Sequence, residues 1–345
     1  MADSAGPQDL AALLRAALEG LPPRPVAAAV SGGADSAMLA VHAAEAARGR
    51  RPLLIFHVDH GLQADAPAWA QRVRALAEQL GVPAHVARVR VDASGGTGME
   101  AAARAARYQA LAGLAHAHGV AAVLLAHHLG DQAETVLLRL LRGAGLHGLA
   151  AMAPDTRRDG VRYLRPWLDV DRARILEAAR DYAARTGWEP VQDPTNADPL
   201  YTRAALRTLL APALDARWPG WRRTVARHAR HVAQAVRVLD ETARADFETL
   251  DPSADGREFS LAAWRGLAAE RQAPALRHWF ARHAAAMPSE ARLEALARQL
   301  RQLHALGHDR QMLFHHAEVT VRCVRGRVAL MPRQAQGQAP GSLAC

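Results

Sequence analysis

Lysine is absent from the chain, so all 43 of its strongly basic residues are arginines. The only cysteines are Cys323 and Cys345, which excludes a disulfide framework, a four-thiolate metal site and a Cys-x-x-Cys redox pair. No apolar run is long enough to span a membrane. The start of the chain, with acids at Asp3 and Asp9, lacks the basic segment and apolar core of an export signal. These absences predict a cytoplasmic protein.

The length of 345 residues predicts two domains. Charge is unevenly distributed between the two parts of the chain. Residues 1–200 contain 21 arginines and 21 acidic residues, whereas residues 201–345 contain the other 22 arginines and only 13 acidic residues. A genome that favours arginine and alanine explains part of this composition, but it does not place the excess at one end. The basic second part predicts capture of a polyanion, because arginines bind phosphate backbones by releasing counterions.

Apolar runs alternate with helical patterns in the first part of the chain. They predict strands at 25–30, 53–58, 84–90 and 120–126, and helices at 35–48, 66–80, 99–118, 131–142 and 171–186. Strands that alternate with helices indicate an α/β fold with a doubly wound, Rossmann-like parallel sheet.

The second part predicts a smaller helical domain. Its pattern is helical and arginine-rich from 221 to 306, without a clear strand, and 318–332 alternates about Arg325-Gly326 as in a small hairpin. Pro212 and Pro219 place the junction between 209 and 220. We expect a catalytic domain at 1–212, a helical domain at 213–310, and a hairpin with a disordered tail at 311–345.

The sharpest motif is Ser31-Gly32-Gly33-Ala34-Asp35-Ser36, which lies between the first predicted strand and its helix. The glycines permit a tight turn, the serines add hydroxyl donors and the helix N-terminus supplies partial positive charge, so the motif predicts a phosphate site. A carboxylate there repels phosphate unless a divalent cation lies between them, so Asp35 implies Mg²⁺. The alternative is that Asp35 and Ser36 only cap the helix.

The motif resembles the pyrophosphate loop, Ser-Gly-Gly-x-Asp-Ser, of the N-type ATP pyrophosphatases, enzymes that cleave ATP between the α- and β-phosphates to adenylate a substrate. This resemblance implies that residues 31–36 bind ATP. Four further strings resemble the lysidine synthetases of that superfamily. In the first, HVDHGL at 57–62, the resemblance assigns His57 and Asp59 to the nucleotide.

The second string carries Glu100, Arg104, Arg107 and Tyr108, which share one helical face at offsets of 4, 7 and 8. Such a face can hold triphosphate oxygens between paired guanidinium groups, with Arg107 as a catalytic candidate. An ordinary surface salt-bridge ladder is the alternative.

The third string, AHHLGDQAET at 126–135, is similar to the family's His-His-x-Asp-Asp-Gln-x-Glu-Thr. It follows the fourth predicted strand, where open parallel sheets bind ligands. Asp131 and Glu134 share a helical face and are candidates to bind Mg²⁺ or the ammonium group of lysine, with Asp35 and Asp131 as the metal ligands. Complementing the helix dipole is the alternative for both acids, and for Glu134 it is as plausible as ligand binding. Gly130 departs from the family, which has Asp there.

The fourth string runs from Arg165-Pro166-Trp167-Leu168 through 193–198 to Arg203 and Arg207. Its usual Arg-Asn pair reads Arg203-Ala204. Taken together, the strings extend the resemblance from about residue 26 to residue 212, and it is much weaker beyond.

The resemblance implies an ATP- and Mg²⁺-dependent reaction on tRNA(Ile) with a CAU anticodon. The C2 oxygen of the wobble cytidine attacks the α-phosphorus of ATP, pyrophosphate departs, and the side-chain amine of free L-lysine displaces AMP. The candidates for the base that deprotonates lysine are His127, His128, Asp131 and Glu134. The candidates for tRNA binding are Arg203, Arg207, Trp218, Trp221, Arg222, Arg223, Arg227 and Arg230, with an exposed amphipathic helix as the alternative for the last six.

Two other functions are compatible with these motifs. A tRNA thiolase of the same superfamily typically needs active-site cysteines or an iron–sulfur cluster, for which two cysteines near the C-terminus are poor material. A non-catalytic RNA-binding protein with an inactive nucleotide fold is the second, and Gly130 and Ala204 favour it slightly. The oligomeric state stays open, with a homodimer as one option.

Overall fold

The computed structural model describes residues 9–61, 66–91, 99–192, 198–283, 286–303 and 312–333. The chain forms two compact units, of which the first comprises 1–142 and 150–230 and the second comprises 143–149 and 231–345. The boundary at 230/231 lies beyond the predicted junction at 209–220, and the sequence did not indicate that 143–149 belongs to the second unit. Within the described residues, no helix is long and apolar enough to cross a membrane.

The first unit contains a six-stranded sheet in the order β3-β2-β1-β4-β6-β5. The strands are β1 (Val26–Ala29), β2 (Leu53–Asp59), β3 (Ala84–Arg88), β4 (Val123–Leu124), β5 (Asp155–Arg158) and β6 (Val161–Leu164). All neighbouring pairs are parallel except the hairpin of β5 and β6. The predicted α/β fold with a mostly parallel sheet is confirmed.

In chain order the helices are α1 (Leu10–Leu18), α2 (Ala34–Ala47), α3 (Ala66–Leu80), α4 (Met99–Ala117), α5 (Leu129–Leu141), α6 (Leu146–Leu149, in the second unit), α7 (Arg172–Thr186), α8 (Thr202–Ala205), a π-helical turn (Leu206–Leu210), α9 (Ala211–Arg217) and α10 (Trp221–Glu248). Helices and strands alternate from α1 to α5. Successive residues of β1 enter opposite cores, since Ala28 packs with Met38 of α2 whereas Ala27 packs with Leu111 of α4. Both faces of the sheet are therefore covered.

The hairpin of β5 and β6 was not predicted. Its first strand reads Asp-Thr-Arg-Arg and is largely exposed, so it carries no apolar run by which a strand is recognised in sequence. Burial of Val161, Tyr163 and Leu164 against the sheet creates the second strand, which pairs in parallel with β4.

The second unit is a mixture of helices and a four-stranded antiparallel sheet. It contains β7 (Glu258–Ser260), α11 (Leu261–Gly266), α12 (Ala269–His283), α13 (Glu290–Gln302), β8 (Met312–His316), β9 (Val319–Val324) and β10 (Arg327–Pro332), with strand order β7-β10-β9-β8. The expected hairpin about Arg325-Gly326 is present, with positive φ at both turn residues.

The prediction that 221–306 contains no strand is wrong, because β7 lies within it and pairs with β10. Phe259 of β7 is fully buried beside Trp279, and this apolar contact fixes a strand of only three residues. The predicted disordered tail lies almost entirely outside the described residues.

Candidate active site

The candidate site lies at the carboxyl ends of β1, β2 and β4. The strand order reverses between β1 and β4, since β2 and β3 lie on one side and β6 and β5 on the other. Ligands of open α/β sheets bind at such a reversal, outside the carboxyl ends of the strands. The loop after β1 and the start of α5 after β4 therefore face the same crevice.

The loop after β1 is a turn closed by the hydroxyl group of Ser36. The backbone N–H of Ser31 donates to Ser36 Oγ at 3.1 Å, and Ser36 Oγ donates to the carbonyl oxygen of Gly33 at 3.1 Å. Helix α2 begins after Gly33, and no described side chain caps it. The alternative in which Asp35 and Ser36 only cap the helix is therefore wrong. The first N–H groups of α2 have no intrahelical acceptor, as a phosphate site requires.

Gly32 is the position in the loop at which glycine is required. Its φ of +102° is strained for any residue with a side chain, and a Cβ atom there would lie 3.2 Å from Cγ2 of Val191. The carbonyl oxygen of Gly32 accepts a hydrogen bond from the N–H of Val191 at 2.9 Å. The segment after α7 thus packs against the turn and stabilises it through Val191.

The carboxylate of Asp35 faces the guanidinium group of Arg172, at the start of α7. Arg172 Nη2 lies 3.2 Å from Asp35 Oδ2, and both side chains are partly exposed. The charge of Asp35 also contributes to raising the pKa of Arg207. The loop therefore lies within electrostatic range of Arg207. Sequence reasoning missed Arg172, because nothing in its local pattern distinguishes it from the other arginines of α7.

His57 and Asp59 lie near the carboxyl end of β2, next to the loop. Nδ1 of His57 lies 2.8 Å from the carbonyl oxygen of Val30, so it carries the ring proton. Burial lowers the pKa of His57, which keeps the ring neutral. The buried carboxylate of Asp59 accepts from the N–H of Gly61 at 2.9 Å. Both residues stabilise the edge of the sheet that supports the loop.

Helix α5 begins with a capping box made by His128 and Asp131. Nδ1 of His128 accepts from the N–H groups of Gly130 and Asp131, at 3.1 and 3.3 Å, and Asp131 Oδ2 accepts from the N–H of His128 at 3.1 Å. A Cβ atom at position 130 would lie 2.9 Å from Cε1 of the His128 ring. A side chain at position 130 would therefore require the His128 ring to shift from the position in which it caps α5.

Asp131 and Glu134 lie together, as their spacing predicts, and share one guanidinium group. Arg207 donates to Glu134 Oε1 from Nε at 2.6 Å, to Glu134 Oε2 from Nη2 at 2.9 Å, and to Asp131 Oδ1 at 3.2 Å. Burial raises the pKa of Asp131, but His128, His127 and Arg207 outweigh it and lower that pKa. Arg203 Nε adds a longer contact of 3.5 Å to Glu134. Both acids thus already hold the guanidinium group of Arg207.

His127 lies among arginines. Burial lowers its pKa to about 3, and the charges of Arg165, Arg107 and Arg104 act in the same direction against Asp131. Its Nδ1 atom is buried and has no partner among the described residues. His127 is therefore neutral at ordinary pH and keeps a ring nitrogen for a ligand.

Arg107 lies near the same site and makes no ion pair with any described residue. Burial and then the charge of Arg104 lower its pKa. A half-buried guanidinium group without an acid is costly and suits an anionic ligand.

The predicted tRNA-binding residues divide into two groups. Arg203 and Arg207 point at the acids of α5, and Arg222 pairs with Asp215, where the indole of Trp221 also donates. Trp221 is buried against Ala133 and Ala211, so its expected place on a tRNA-binding surface is wrong. Arg223, Arg227 and Trp218 are exposed, whereas Arg230, also exposed, pairs with Asp169.

Of the two predicted Mg²⁺ ligands, Asp35 and Asp131, only Asp35 is well placed to bind the ion. Asp35 is partly exposed beside the loop, and Mg²⁺ is commonly held by one or two carboxylates together with phosphate oxygens of the substrate. Asp131 is a poorer ligand, because one oxygen is used in the helix cap and the other accepts from Arg207. By contrast, the oxygens of Asp35 accept, among the described residues, only from the half-exposed Arg172. No group of three or more His, Cys, Asp or Glu side chains suited to a metal occurs in the described part of the chain.

Comparison with known proteins agrees with this geometry. A family model described as the PP-loop domain matches residues 8–214, and a model described as the TilS substrate binding domain matches residues 259–329. The U34-tRNA thiolase NcsA from Methanococcus maripaludis has a similar fold, with a TM-score of 0.54 at 15% identity over 65% of this chain and 78% of that one. Fold and site together define a PP-loop protein of the ATP-utilising class.

Similarity to two relatives shows which family within this class the chain belongs to. The chain is 66% identical to tRNA(Ile)-lysidine synthase of Bordetella bronchiseptica over 91% of its own length and 92% of that protein. It is 41% identical to tRNA(Ile)-lysidine synthase of Polaromonas naphthalenivorans, over 82% and 83% of the two chains. The chain belongs to the tRNA(Ile)-lysidine synthase family.

Proposed function

We propose that this chain is an ATP-dependent carbon–nitrogen ligase that attaches free L-lysine to C2 of the wobble cytidine of tRNA(Ile) with a CAU anticodon. The observation that carries the proposal is the juxtaposition of an uncapped helix N-terminus at residues 31–36 with the acid pair of α5, across the reversal point of the sheet. The first feature suits the anionic leaving group and the second suits a cationic substrate.

In the first step the C2 oxygen of cytidine attacks the α-phosphorus of ATP, and pyrophosphate leaves. The N–H groups and serine hydroxyls of residues 31–36 would hold pyrophosphate, and Arg107 and His127, which interact electrostatically, would contact the phosphoryl group. His127, which is neutral and has an unpartnered Nδ1, is a hydrogen-bonding residue in this proposal. Asp35 would hold Mg²⁺ together with phosphate oxygens of ATP, and the ion would supply neutralising charge. Catalysis then depends mainly on positioning and electrostatic stabilisation.

In the second step the amine of lysine displaces AMP from the adenylated cytidine. Asp131 and Glu134 bind the ammonium group, which takes over the place of the Arg207 guanidinium group. Among the candidates for the base, His128 uses its accepting nitrogen in the helix cap, and His127, with a pKa near 3, is too weak. The lowered pKa of Asp131 makes it weaker than an ordinary carboxylate, so we assign proton removal to Glu134.

The test asks whether the reaction requires ATP, L-lysine and tRNA(Ile) together. Release of pyrophosphate over many turnovers is expected only when lysine and tRNA(Ile) are present together, because without lysine the tRNA stays adenylated after one turnover, and mass analysis of the tRNA nucleosides is expected to show lysidine. Unchanged release without lysine would disprove the lysine assignment. Binding of tRNA without any release would favour the non-catalytic alternative.

A thiolase activity has little support in the structure. The one cysteine in the described part of the chain, Cys323, is buried in β9 of the second unit, where burial raises the pKa of its thiol. The fold similarity to a thiolase is at 15% identity and indicates architecture alone. A cytoplasmic location and a division of labour in which the second unit binds tRNA belong to the same proposal.

A further inference from the structure

Four arginines surround the ring of Tyr108 and form what we call the Tyr108 cluster, namely Arg104, Arg107, Arg158 and Arg165. The guanidinium carbons of Arg104, Arg107 and Arg158 lie 5.2, 5.8 and 4.7 Å from the centroid of the ring. The hydroxyl of Tyr108 accepts from Arg165 Nη2 at 3.3 Å and from Arg104 Nη2 at 3.4 Å. Helix α4, strand β5 and the end of β6 thus bring four cations to one side chain.

The cluster contains almost no compensating negative charge. Among the described residues, no acid pairs with Arg104, Arg107 or Arg165, and Arg158 pairs only with its exposed neighbour Asp159, at 3.2 Å. Arg165 is 6% exposed, and its Nε atom has no hydrogen-bond partner among the described residues. Four guanidinium groups held together in this way repel one another, and a bound anion would relieve that repulsion.

The four arginines of the Tyr108 cluster range from buried to exposed. Arg165 is buried and Arg107 half-buried, whereas Arg104 and Arg158 are exposed. The phosphates of ATP already have the donors of residues 31–36. A strand of RNA differs from ATP in that its backbone stays at the surface while one base enters the crevice, and a row of cations that reaches the surface suits such a ligand.

We propose that the Tyr108 cluster binds a backbone phosphate of the anticodon loop beside the reacting cytidine, an inference that rests on the proposed function. The exposed members Arg104 and Arg158 would hold the phosphate, and Tyr108 and Arg165 would orient their guanidinium groups. The cluster thereby acts as a positioning site that keeps the cytidine next to ATP.

The test compares Arg158→Gln with Arg157→Gln, its neighbour on β5, which is also exposed and has no ion pair among the described residues. We measure the Kd for a tRNA(Ile) transcript at several salt concentrations and the KM for ATP in pyrophosphate release. Arg158→Gln is expected to raise the Kd about tenfold and to reduce the slope of log Kd against log salt by about 1, with the KM for ATP unchanged. Arg157→Gln is expected to change none of these values.

Other outcomes separate the two proposals. A raised KM for ATP with an unchanged Kd for tRNA would mean that the cluster holds nucleotide phosphates, and no effect of either Arg158→Gln or Arg104→Gln would overturn the site altogether. If the wild-type protein binds tRNA but makes no lysidine, the proposed function fails, while the Kd measurements still decide whether the cluster binds RNA.

Discussion

Asp35 pairs with Arg172 in the structure, and in the proposed function its carboxylate would instead hold Mg²⁺ beside the phosphates of ATP. The motif alone indicated the second role and the structure adds the first. Asp35→Asn keeps the size of the side chain and removes its charge. We expect this variant to lower the rate of pyrophosphate release roughly 100-fold, as loss of one electrostatic contact in a transition state does, while the Kd for tRNA stays unchanged.

Arg172→Gln is the matched control for Asp35. It breaks the same ion pair at a half-exposed position and leaves the carboxylate in place, so its rate is expected to stay within a few-fold of the wild-type rate. Equal losses in the two variants would show that the ion pair, rather than the carboxylate beside the phosphates, is what matters.

At the scale of elements, Asp131 both caps α5 and pairs with Arg207. Asp131→Asn keeps an oxygen that accepts from the N–H of His128, whereas Asp131→Ala removes it. The free energy of unfolding, measured in urea, is expected to be about 1 kcal/mol lower for the alanine variant than for the asparagine variant.

Catalysis is expected to respond differently from stability. Both variants lose the negative charge, so both are expected to raise the KM for lysine, and to a similar extent. An asparagine variant with the wild-type KM would assign Asp131 to the cap alone and leave Glu134 as the only acid that recognises the ammonium group.

Elements also show where sequence patterns succeed and fail. Strands β1 and β2 are recognisable because both of their faces are buried, so apolar residues run continuously through them. Strand β5 is exposed and β7 has three residues, so neither contains a pattern, and their partners β6 and β10 determine that they form. The π-helical turn at Leu206–Leu210, which carries Arg207 to the acids of α5, had no signal either.

At the scale of the whole molecule, buried histidines couple stability to pH. Burial is the largest cause that lowers the pKa of seven histidines, His42, His57, His60, His85, His127, His278 and His283. Unfolding returns each of them to a pKa of about 6.5. Below that pH the unfolded chain binds more protons than the folded one, so the free energy of unfolding falls as the solution becomes more acidic.

We therefore expect a lower urea midpoint at pH 5 than at pH 7.5. The carboxylates do not account for a change in this window, because those with lowered folded pKa values lose their contribution only as the pH falls through and below about 3.9. His127→Asn is expected to reduce the difference between the two midpoints, since its pKa of about 3 makes His127 a proton acceptor only in the unfolded chain. Equal midpoints at both pH values would contradict this explanation.

The amino-acid sequence by itself determined the phosphate loop, the alternation of strands and helices and the family, because these depend on residues that are adjacent or regularly spaced. Only the tertiary structure decided which charges meet. Asp35 and Arg172 are 137 residues apart and Glu134 and Arg207 are 73 apart, and the four arginines of the Tyr108 cluster come from three different elements. Local strings singled out Arg107, Arg203 and Arg207, but nothing local distinguishes Arg158 or Arg172 from the other arginines in a chain with 43 of them, so only folding shows which groups these two face.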